Sequence, residues 1–164
     1  VELLKNAQKV ANMIENDNVS GGTVQLLAQR AAEMAQTSLA MELLTTAQQT
    51  ANTIENDRHR TNSLFTLTLR ATEVARDSII ITQDKSKSSD FISIAEEAAQ
   101  KIDDSHEKAD ASEAIIGVCG ELELLRSALT NVERMPFNYQ VLGYATILEE
   151  RENIRRREEM TDME

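Results

Sequence analysis

Leu4, Ala7, Ala11 and Ile14 stand at i, i+3, i+7 and i+10, with polar residues filling most of the gaps. That spacing predicts an amphipathic helix with one narrow apolar stripe. The same stripe returns at Leu44, Ala47, Ala51 and Ile54, and again at Ile92, Ala95, Ala99 and Ile102. A second kind of helix follows each of the first two, with Val24, Leu27, Ala31 and Met34 matched by Leu64, Leu67, Ala71 and Val74. Turn residues separate the helices: Asn16 to Gly22 in the first unit, Asn56 to Arg58 in the second. In the third, Asp104 and Glu107 have the spacing of a capping box.

The recurrence is an internal repeat. ELLKNAQKVANMIEND from Glu2 aligns with ELLTTAQQTANTIEND from Glu42, and 17 of 40 positions are identical without a gap. A weaker third copy is displaced by 48, FISIAEEAAQKIDD from Phe91 aligning with LLTTAQQTANTIEN from Leu43. The expected organisation is one helical domain over 1–164: repeat 1 at 2–41, repeat 2 at 42–81, an exposed polar loop at 82–90 and repeat 3 at 91–130. A C-terminal helix follows at 136–160. In the third unit the pattern predicts a long helix from about Ser112 to Glu133, interrupted by Gly117 and Gly120 and broken at Met135-Pro136. The last helix is charged all round, with Glu152–Arg156 and Arg155–Glu159 placed to pair at i, i+4.

A helix pair of this size cannot bury its stripe alone and must stack on its neighbours. The expected fold is therefore all-α, stacked antiparallel helical hairpins forming a right-handed α-solenoid of about seven helices. The motif A-x-x-x-A-x-x-I (Ala47, Ala51, Ile54) and its companion L-x-x-x-A-x-x-V-A (Leu67, Ala71, Val74, Ala75) resemble α-solenoid repeats of the tetratricopeptide-like or HEAT-like kind. The resemblance spans roughly 2 to 129 and implies a curved stack whose concave face binds a partner protein.

Composition narrows the function. The 164 residues carry a net charge of -11, with scattered Lys and Arg outnumbered by Asp and Glu. Such a surface does not release counterions from a phosphate backbone, which argues against nucleic acid, and it disfavours anionic membranes. No apolar run is long enough to span a bilayer, and the first residues lack a signal peptide. One cysteine permits no internal disulfide and fits a reducing, cytoplasmic setting. A start at Val1 fits a piece of a longer protein.

Candidate chemistry is sparse. His59 and His106 both fall at helix turns, and Cys119 has no His at helical spacing. No nucleophile, base and orienting group can be assembled from them, so no enzyme, cofactor or metal is expected. Asp103, Asp104, His106 and Glu107 lack metal-ligand spacing and read as helix capping. Ser20-Gly21-Gly22 has no phosphate-binding lysine, and Asn18-Val19-Ser20 is a turn unless the chain is secreted. Arg30 and Arg70, with Glu33 and Glu73 three residues on, are placed for structural ion pairs.

Two features point to a protein or peptide partner. Gln8, Gln48 and Glu96 occupy equivalent positions, as do Asn12, Asn52 and Gln100. Both sets flank the stripe, where side-chain amides can bond an extended backbone; the alternative is a solvated flank kept through duplication. Phe65 and Leu69 lie one turn apart where the first repeat has Gln25 and Gln29. They are an anchor for a partner, or a packing contact with 82–90 or the last helix, or, together with the charged C-terminal helix, the contact of a structural, self-assembling homo-oligomer.

Overall fold

The computed structural model describes Arg30 and residues 37–82, 85–121 and 124–161. These are all-helical, with six α-helices and one 3-10 turn. In order they are α1 (Thr37–Thr53), α2 (Asp57–Thr82), α3 (Lys85–Gln100), α4 (Ser105–Glu121), α5 (Leu125–Arg134), the 3-10 turn Phe137–Tyr139 and α6 (Gln140–Thr161). No described helix is long and apolar enough to cross a membrane. The first repeat falls almost wholly outside the described residues, and Gln8 and Asn12 with it.

The helices start where the equivalent turn residues place them. The Asn56 side-chain oxygen accepts the His59 N–H at 3.0 Å, capping α2. Asp104, its counterpart in the third repeat, accepts the N–H groups of His106 and Glu107 at 2.9 Å each, capping α4. Each cap satisfies donors that have no partner within the helix. Arg60 ties the two turns together, 2.6 Å from Asp57 and 3.4 Å from Asp103.

One continuous core runs through the stack. From α1 it takes Leu43, Leu44, Ala47 and Ala51, from α2 Leu64, Leu67, Ala71 and Val74, and from α3 Phe91, Ala95 and Ala98. The stripes of the second and third repeats are thus buried faces, and those of the first lie outside the described residues. Buried small residues on α2 (Thr68, Thr72, Ala75 and Ser78) let α3 lie close against it. The threonines satisfy their hydroxyls on the helix itself, Thr68 donating to the Leu64 carbonyl and Thr72 to that of Leu69. Helix contacts pair α1 with α2 and α3, α2 with α3 and α4, α3 with α4, α4 with α5 and α6, and α5 with α6.

Two expectations are corrected. The stretch 82–90, expected as an exposed loop, is helical from Lys85 onward. Ser88 is buried and donates to the Ala75 carbonyl at 2.8 Å, so this segment packs on α2 as the first turns of α3. Its Lys, Ser and Asp content reflects a solvated outer face, not a break in the helix. The long helix expected over 112–133 is two helices. It begins at Ser105, and the chain leaves helical geometry at Leu124 (φ -89, ψ 54). The Leu124 N–H reaches back to the Cys119 carbonyl at 2.7 Å, closing α4 with a bond of the Schellman type. The break at Met135-Pro136 lies where the sequence places it, with Met135 extended and Pro136 opening the 3-10 turn.

The α6 helix sits on α4 and α5 through Gly143 and Ile147. A Cβ at position 143 would fall 2.8 Å from both Val132 and Met135, so only glycine allows this approach. Farther along, Arg155 and Arg156 bond Glu152 at 2.7 and 3.2 Å, and Arg155 lies 3.7 Å from Glu159. These contacts hold the Glu152 carboxyl below its usual range, the Arg155 hydrogen bond contributing most.

Candidate functional site

The polar positions on the first helices of each unit come together as rungs between helices. Gln48 on α1 donates to Glu97 on α3 at 3.0 Å, and Lys101 on α3 donates to Asn52 at 3.2 Å. Glu96 faces the other way, accepting from buried Asn131 on α5 at 2.8 Å with Arg134 at 3.5 Å. Gln100 is exposed, and its backbone carbonyl takes the Lys108 ammonium at 2.9 Å. The structure therefore joins Gln48 and Asn52 to the neighbours of Glu96 and Gln100 rather than to those residues themselves. Their amides are already engaged across the α1–α3 seam.

Phe65 and Leu69 part company. Phe65 is half-buried against the core. Leu69 lines an open groove of about 490 Å³ between α2 and α4, with Thr146 of α6 at its end. Ala114, Gly117 and Val118 join Leu69 as its apolar floor, and Glu73, Arg76, Asp110 and Glu113 form the rim. Gly117 keeps the groove open, since a Cβ there would meet nothing within 4 Å. Arg70 bonds Glu73 at 2.6 Å, the ion pair expected from the repeat. Outside that pair the rim holds the carboxylates of Asp110 and Glu113 and the guanidinium of Arg76.

The remaining polar groups serve the fold. Cys119 is buried; desolvation, and then the Glu96 charge, pushes its thiol from 9.0 up to about 12. That is the reverse of the shift that activates a cysteine nucleophile. His59 is an exposed residue of the α2 first turn. His106 stacks on Tyr139 with ring centroids 6.1 Å apart, its Nδ1 3.7 Å from Asp110. Among the described residues no group of three or more His, Cys, Asp or Glu is placed to hold a metal ion.

The last helix, expected with Phe65 and Leu69 to make a homo-oligomer contact, carries an apolar surface whose residues the sequence pattern did not single out. Phe137, Val141, Tyr144 and Leu148 are 88, 78, 45 and 66% exposed. At 100° per residue Val141, Tyr144 and Leu148 share the outer face of α6, about a third of a turn from buried Gly143 and Ile147, and Phe137 lies in the 3-10 turn just before it. Residues 135–148 contain no charged residue and hold three of the chain's five aromatics. That local bias was the available signal; the eye is drawn instead to the charged run that follows it.

The class defined by these features is an all-helical protein whose described helices share one core. The chain matches no protein-family model, no curated protein and no solved structure.

Proposed function

We propose that the chain is a non-enzymatic interaction module, a scaffold or adaptor of stacked helical hairpins that binds a segment of a partner protein along a repeat-built groove. Packing of each helix on its successor, and of α1, α2 and α4 on the helix two places on, supports an α-solenoid reading of the stack. The observation that carries the function is the groove between α2 and α4. It is concave, apolar at its floor through Leu69 and Val118, and charged at its rim. A segment with an apolar side chain over Gly117 and a basic residue toward Asp110 and Glu113 would fit it. Because two packed helices form the walls, little ordering entropy is lost on binding.

Selection from a displayed library of random peptides tests this. The wild-type chain is expected to enrich Lys- or Arg-containing sequences with an apolar anchor. Gly117→Leu, which fills the groove from a position with free space, is expected to abolish their binding, while Asn52→Lys on the α1–α3 seam leaves it intact. Loss with Asn52→Lys and retention with Gly117→Leu would transfer the function to the polar rungs. Enrichment of no sequence at all would overturn the reading.

A further inference from the structure

We propose that the outer face of α6 is a self-association surface, on which a second copy of this chain docks antiparallel about a two-fold axis. The inference does not rest on the α2–α4 groove. Its starting point is the spacing of the exposed apolar residues. On α6, Val141, Tyr144 and Leu148 follow one another at three and four residues, the alternation of a two-stranded helical seam, and Phe137 in the preceding 3-10 turn stands four residues before Val141.

The seam complements itself in only one direction. Run antiparallel, Phe137 faces Leu148 of the second copy and Val141 faces Tyr144, and the two-fold axis repeats both layers. Every layer then joins one aromatic to one aliphatic side chain, so the four have similar volume. Run parallel, Val141 would face Val141 and Tyr144 would face Tyr144, leaving a gap in one layer and crowding in another. The parallel seam would also continue into Arg151 against Arg151 and Arg155 against Arg155, like charges at each step. The antiparallel arrangement carries those arginines past the end of the apolar layers.

Charge favours the same face. Two copies of a chain with net charge -11 repel, and that repulsion opposes contact over most of the surface. Residues 135–148 are the longest run without a charge in the sequence, and they hold five of the eight exposed large apolar side chains of the described residues. The exposed area of the four side chains is on the order of 500 Å² per copy, at the upper end for a monomer's largest patch. Pairing would bury about 1,000 Å² in total, the size of a weak, reversible dimer. Since like net charges oppose the pairing, added salt tightens it, whereas salt weakens the binding of a basic segment in the α2–α4 groove.

Sedimentation velocity on the 164-residue chain, from about 5 to about 500 μM, tests the proposal in the range where an interface of this size dissociates. The wild type is expected to pass from monomer to dimer, with a dissociation constant on the order of tens of micromolar that falls as salt rises. Leu148→Glu is expected to raise that constant by at least about tenfold, with unchanged helical content because the residue is exposed. Val141→Lys and Tyr144→Glu are each expected to be monomeric alone. Mixed, they should form a heterodimer, because the antiparallel register puts the lysine introduced in one variant beside the glutamate introduced in the other. A wild type that stays monomeric at the highest concentration overturns the proposal. So does a dimer untouched by Leu148→Glu, and a mixture that fails to recover association overturns the antiparallel register.

Discussion

Gly120 of α4 lies against Glu150 of α6 so closely that a Cβ at position 120 would fall 2.7 Å from the Glu150 Cβ. The α6 helix makes a second close approach at Gly143, where Val132 of α5, Met135 and Ile116 of α4 close in. Alanine at 120 or 143 gains about 1 kcal/mol of helix propensity. Overpacking against a Cβ or a stiff valine methyl costs about 1–3 kcal/mol. Gly120→Ala and Gly143→Ala are therefore expected to lower the melting temperature, while Gly117→Ala, which meets nothing within 4 Å, raises it. Thermal unfolding of the three variants side by side checks the contrast.

Asn56 and Asp104 occupy equivalent positions and cap α2 and α4 in the same way. Alanine at either position is expected to cost about 1 kcal/mol in urea unfolding, and Ser or Thr should recover most of it. The larger loss is expected at Asp104, which accepts two N–H groups where Asn56 accepts one.

Glu96 accepts from Asn131, a buried residue whose amide also donates to the Ser127 carbonyl at 2.9 Å. Glu96→Ala leaves one donor of that amide without its partner, at a cost of about 1–3 kcal/mol. Replacing Asn131 by Leu in the same chain is expected to return part of the loss, since it removes the stranded donor. A double-mutant cycle reads the difference.

The Cys119 thiol, raised from 9.0 to about 12, makes stability depend on alkaline pH. Below pH 9.0 both folded and unfolded chains keep the proton, and Cys119 adds no pH dependence. Above it the unfolded chain loses the proton while the folded chain retains it. Stability then falls by about 1.4 kcal/mol per pH unit until the folded thiol itself ionises. Cys119→Ala is expected to flatten that part of the profile. At about pH 8 iodoacetamide should label native Cys119 at least about a hundredfold more slowly than the chain in urea, since reaction waits on opening.

Much of the fold was legible because the repeat states each signal twice. Asn56 could be read as a helix start from Asp104, and the Ala47–Ala51–Ile54 stripe from Ala95–Ala99–Ile102, and the caps and buried faces agree with those readings. Polarity misled at Lys85–Asp90, where exposed Lys87, Ser89 and Asp90 flank a Ser88 that bonds Ala75. Composition reports which face meets water, not whether the backbone is helical. The end of α4 was not legible either: Leu124 turns away within Glu121–Leu125, a run whose side chains all favour helix. In the candidate site, Gln48 and Asn52 were aligned with Glu96 and Gln100 as equivalent positions facing a partner segment, whereas the structure bonds them to Glu97 and Lys101. A repeat alignment compares equivalent positions, whereas a contact joins positions offset by the tilt between two helices. The α6 face was missed because it lies in no repeat, so nothing elsewhere in the chain echoes it.

Every substantial helix contact among the described residues joins helices one or two places apart. Such a chain meets its partners soon after each segment forms, and the loop-closure entropy to be overcome is small throughout. Folding on the microsecond-to-millisecond scale of helical bundles is the consequence. Cooperativity is local for the same reason: α6 can open from α4 and α5 while α1, α2 and α3 stay packed, so exchange of backbone amide hydrogens should be graded along the chain. Rigidity among the described helices is a property of neighbourhoods, and α6 can move on its own clock.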